Sequence, residues 1–92
     1  MFRVIPECTG IPSDEGRIAA SDITQEFAEH RPHHANVICS FGVEKLALIA
    51  ENDFDPNGLA LMDEFSDCLS AFVSEFIPGV DRNISVKSVT VI

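Results

Sequence analysis

DPNGLALMDEFSDCLSAFVSEFIPG, residues 55–79, is the stretch on which the reading of the fold turns. Leu59, Met62, Phe65, Leu69, Phe72, Val73 and Phe76 recur at steps of three and four. That spacing lines apolar side chains along one face of a helix. Asp55 is placed to cap it, and Pro56 suits its first position, where a missing N–H costs nothing. Pro78-Gly79 stop it. The expected helix spans about Pro56 to Ile77, with Asp63, Glu64, Asp67, Ser70, Ser74 and Glu75 on its outer face.

Downstream, Ile84 to Ile92 is rich in β-branched residues and carries no breaker, so a long strand is expected. Upstream, Asn36 to Phe41 reads as a strand, Gly42 punctuates it, and Leu46, Leu48 and Ala50 alternate through Val43 to Ala50. This predicts a β-hairpin, although Leu46, Ile49 and Ala50 also fit one helical face. Further back, Ser21 reads as an N-cap with Asp22 in the first turn, Ile23 and Phe27 share a face, and Pro32 ends that helix by Arg31. Residues 7–20 contain Gly10, Pro12 and Gly16 without a period and read as a loop. Phe2 to Ile5 reads as a first strand stopped by Pro6.

The order β-α-β-β-α-β over one domain, residues 1–92, predicts an α+β, ferredoxin-like sandwich: an antiparallel sheet with two helices on one face. Ninety-two residues with 46% apolar side chains and seven Phe suffice for one hydrophobic core. The absence of Trp and Tyr argues against carbohydrate recognition and base stacking. A net charge of −9 repels polyanions, so neither direct nucleic-acid binding nor docking on an anionic membrane is expected. Cys8, Cys39 and Cys68 are odd in number and widely spaced, which reads as reduced thiols in a cytoplasm. No signal peptide, membrane span or cofactor motif is expected from the sequence.

Three patterns bear on chemistry. Residues 53–64 match the calcium-loop pattern at each specified position, offering Asp53, Asp55, Asn57 and Glu64 as hard oxygen ligands. Against this reading, Ala60 and Leu61 replace the usual residues of such a loop, Pro56 stiffens it, and no second loop exists to partner it. His30, His33 and His34 with Cys39 offer softer donors, or a small enzyme centre at His33 and His34. This segment resembles the pterin-carbinolamine dehydratases, in which a His-His-Pro-x-aromatic run precedes two strands and a helix. Here Ala35-Asn36 follow the histidines, so the proline and the aromatic residue are missing, and a C-terminal strand is added. Cys39 and Cys68 read as buried and inert, which leaves no nucleophile.

The third pattern is charge. From Leu46 to Asp81 there is no Lys or Arg, while Glu51, Asp53, Asp55, Asp63, Glu64, Asp67, Glu75 and Asp81 are all acidic. The expectation is a non-catalytic binding or inhibitor protein that presents Glu51, Asp53, Asp63, Glu64, Asp67 and Glu75 to a basic surface of a protein partner. Phage-type inhibitors of nucleic-acid machinery, anti-CRISPR proteins among them, and toxin-immunity proteins share this combination of size and charge.

Overall fold

A computed structural model describes residues 1–73 and 83–92. Four strands and two helices follow one another as β1 (Phe2–Thr9), α1 (Ser13–His30), β2 (Ala35–Gly42), β3 (Lys45–Asn52), α2 (Leu59–Phe72) and β4 (Ile84–Val91). The sheet is antiparallel throughout, with strand order β2-β3-β1-β4. This is the ferredoxin-like α+β arrangement that the element order predicts.

Strand alternation builds the core on one side of the sheet. Val4, Pro6 and Cys8 of β1 and Leu46, Leu48 and Ala50 of β3 point one way and are fully buried. Gly16, Ala19, Ala20, Ile23 and Phe27 of α1 lie over them. So do Leu61, Phe65, Cys68 and Leu69 of α2. The small residues of α1 let it sit close to the strands. Thr24 adds a clasp: its hydroxyl donates to the Ala20 carbonyl at 2.8 Å and accepts from the Cys39 amide of β2 at 2.9 Å.

Four expectations are corrected. First, β1 runs through Pro6 to Thr9. Pro6 cannot donate to the ladder, and the β1–β4 register shifts between Ile5 and Pro6, so a bulge absorbs the missing bond.

Second, residues 13–20 are helical, and Ser21 lies mid-helix rather than at its start. The misleading residue is Gly16, which reads as a turn but serves a close approach. A Cβ there would overlap the Phe41 ring.

Third, α2 starts at Leu59 with Gly58 at its N-cap, three residues later than expected, and ends at Phe72. Asp55 still caps, from outside the helix. Its buried carboxylate accepts from the amides of Ala60 at 3.2 Å and Leu61 at 3.0 Å. Gly58, at φ +77°, makes the bend this requires, and a Cβ there would meet Val4 and Val86 within 3 Å.

Fourth, the buried face of α2 is rotated. Leu61, Phe65, Cys68, Leu69 and Val73 are buried, whereas Leu59 and Phe72 are 50% and 37% exposed and Met62 is half-buried. Ser74 to Ile77, including Glu75 and Phe76, lie outside the described residues.

The hairpin is present, and β3 resolves its ambiguous arm as a strand. Only two residues, Val43 and Glu44, join Gly42 to Lys45, with φ of 46° and 59°. Among the described residues no helix is long and apolar enough to cross a membrane.

Candidate functional site

Three connections converge at the end of the sheet where β3 ends and α2 begins. Arg31 closes α1, the His33-His34 turn leads into β2, and the loop from Asn52 to Gly58 feeds α2. Glu64, one turn into α2, sits among them.

His34 has a fully buried side chain, and its Nε2 lies 2.5 Å from Glu64 Oε2. His33 Nε2 and the Arg31 guanidinium each lie 3.0 Å from Glu64 Oε1. The Arg31 guanidinium also stands over the Phe27 ring, 5.4 Å from its centroid. Phe54, 46% exposed, packs against both imidazoles with centroids 5.8 and 5.6 Å away.

The tautomer of His34 follows from Asn52. The Asn52 Oδ1 accepts from the amides of Phe54 at 3.2 Å and Asp55 at 3.0 Å, the hydrogen bonding of an Asx turn. Its NH2 group is thereby aimed at His34 Nδ1, 3.2 Å away. His34 Nδ1 must accept, so Nε2–H donates to Glu64. Burial raises the Glu64 carboxyl, but the hydrogen bonds from His34 and Arg31 together outweigh it. The carboxyl is held below its ordinary value.

Two histidines and a carboxylate whose ligand atoms lie within 4.8 Å of one another form a transition-metal donor set. A cation on Nε2 of a neutral imidazole places the ring proton on Nδ1. At His34 that proton would meet the Asn52 N–H donor to donor, and turning the Asn52 amide would set its NH2 against two backbone amides. The chemistry of the site therefore favours a hydrogen-bonded carboxylate over metal coordination.

The twelve-residue stretch offered for calcium is dispersed. Asp53 is exposed, Asp55 caps α2, Asn57 accepts from the Leu59 amide at 3.2 Å, and Glu64 faces the histidines.

The cysteines give no accessible nucleophile. Cys8, Cys39 and Cys68 are all buried. Burial pushes Cys39 up to about 12 and raises Cys68 as well.

The acidic residues divide into two groups. Glu51 lies on the sheet face away from the helices, bonded to Asn36 at 2.7 Å and Arg3 at 2.9 Å, which lowers its carboxyl. Glu64 is enclosed as described. Neither is a free docking carboxylate. Asp53, Asp63 and Asp67 are exposed, and no ion pair among the described residues engages them. Glu75 lies outside the described residues.

Sequence reasoning missed Arg31, Asn52 and Phe54. Asn52 left one signal, the Asn-x-x-Asp spacing ahead of a helix, whereas Arg31 and Phe54 join the site only through tertiary packing. No protein family matches the chain, and no curated protein or solved structure is significantly similar to it.

Proposed function

We propose that the protein is a non-catalytic binding protein that docks, helix layer first, on a basic surface of a protein partner. One observation carries the reading: charge is segregated between the two layers. Helix α1 holds Asp14, Glu15, Asp22, Glu26 and Glu29 against Arg17 alone, and α2 holds Asp63, Glu64 and Asp67 with no cation. The strands carry three cations, Arg3, Lys45 and Lys87, and two acids, Glu7 and Glu51.

The negative potential thus faces outward from the helices, with Asp53, Asp63 and Asp67 its exposed members around α2. Such a surface attracts a cationic groove, and one that normally holds nucleic acid fits this chemistry best. That would make the chain an inhibitor of the phage or immunity type. The burial of all three thiols, which raises Cys39 and Cys68, and the enclosed Glu64 support a non-catalytic role.

The test starts from a partner captured from lysate and identified by mass spectrometry. On-rates are then measured at two ionic strengths for the wild type and for Asp53→Asn/Asp63→Asn/Asp67→Asn. The triple variant should fold normally but associate ~10-fold more slowly at low salt, with the gap closing as the Debye length shortens to about 8 Å at 0.15 M. Equal rates for the two proteins would sink the reading.

A further inference from the structure

The face of the sheet turned away from the helices carries an apolar stripe. Ile38 of β2 pairs with Ile49 of β3. Ile5 of β1 falls on the same line, because Val4↔Ala50 and Glu7↔Ala47 flank it, and Ile5 pairs in turn with Ser88 of β4. Three isoleucines therefore cross three adjacent strands in register. Ile38 is 59% exposed, and Ile5 and Ile49 are half-buried. Single exposed apolar residues are ordinary, whereas a contiguous row on a solvent face marks an interaction surface.

The stripe is bounded by ion pairs. Arg3 meets Glu51 at 2.9 Å on one side, and Glu7 lies 3.6 Å from Lys45 and 3.9 Å from Lys87 on the other. This face is close to neutral, in a chain whose net charge is −9.

We infer that the open sheet face binds a second copy of this chain. Charge selects that occupant and that face. Two copies approaching through their helix layers bring α1 and α2 acids together and repel. Through the sheets, near-neutral faces meet and the acidic layers stay on the outside. A two-fold axis through the stripe lays each isoleucine row across its counterpart, so the patch is self-complementary.

The footprint sets the strength. Four strands about 4.8 Å apart and eight residues long at about 3.4 Å each cover roughly 500 Å². A face of that extent gives an interface at the small end of the specific range, so the dimer is weak and concentration-dependent. The inference does not rest on the docking proposal, since the helix layers remain free in the dimer.

Sedimentation equilibrium over a wide concentration range tests it on the wild type, Ile38→Lys, and Asp63→Asn/Asp67→Asn. The wild type should pass from monomer to dimer mass, and the association should tighten as salt screens the residual repulsion, opposite to the partner complex. Ile38→Lys should stay monomeric with an unchanged circular dichroism spectrum and melting temperature, while the helix variant dimerises like the wild type or better. A wild-type mass that stays monomeric at every concentration would overturn the inference. So would a dimer that survives Ile38→Lys, or mass that grows beyond two copies without a plateau.

Discussion

At the scale of single residues, Glu64 shows how much a position changes its meaning between sequence and structure. In sequence it is one more carboxylate on an outer helix face, or the last ligand of a calcium loop. In the fold it is the shared acceptor of Arg31, His33 and His34. Its lowered carboxyl makes a signed prediction. A carboxyl depressed in the folded state stabilises at pH values above its unfolded value, and that contribution disappears as pH falls through the folded value. Glu64→Gln should therefore destabilise by roughly 1.5–3 kcal/mol at neutral pH, since charge-assisted hydrogen bonds are lost. The difference from wild type should shrink as acid is taken below 4.5, the ordinary carboxyl value. Urea titrations at neutral pH and in acid measure this, and a difference that stays constant would contradict it.

The residue types of the site were legible, because His33, His34 and Glu64 each stand out in the sequence. Their meeting was not. It depends on Asn52 aiming its amide and on Asp55 setting where α2 begins, and neither leaves a periodic trace.

At the scale of elements, β4, the hairpin and the existence of both helices follow from local pattern. The errors cluster where one residue does two jobs. Gly16 punctuates in sequence yet lies inside α1, because the Phe41 ring needs the room. The apolar period puts the buried face of α2 on Leu59, whereas the Asp55 cap anchors the helix so that Leu61 faces the core. Pro6 ends a strand by rule but is carried through a bulge.

The hairpin turn carries the clearest element-level prediction. Two-residue turns in which both residues have positive φ favour Asn followed by Gly, and this one uses Val43 and Glu44. Val43 is 96% exposed, so it gains nothing by packing to offset a strained backbone. The double substitution Val43→Asn/Glu44→Gly should raise stability by about 1 kcal/mol. The backbone contact from the Ile11 amide to the Glu44 carbonyl, 2.9 Å here, does not depend on that side chain and should persist. A thermal melt compares the two proteins; an unchanged or lower melting temperature would refute the strain.

At the scale of the whole molecule, the sequence shows the acidic excess but not its direction, because layers exist only after folding. The run without Lys or Arg from Leu46 to Asp81 contains Glu51, which the strand register places on the opposite face beside Arg3. The topology that separates charge also determines how the chain can assemble. β1 lies inside the sheet between β3 and β4, and neither neighbour follows it directly in the chain. Both partners are non-local, so loop-closure entropy must be met before either ladder forms. During synthesis, β1 leaves the ribosome long before β4 and has its second neighbour only when Ile84 to Val91 emerge. Until then its β4-facing edge is an unpaired strand edge, of the kind that misassembles. A chain arrested before Ile84 should accordingly be degraded by a protease that the longer chain resists. For this fold, the eight residues of β4 act as a latch: everything made before them waits, half-paired, for their arrival.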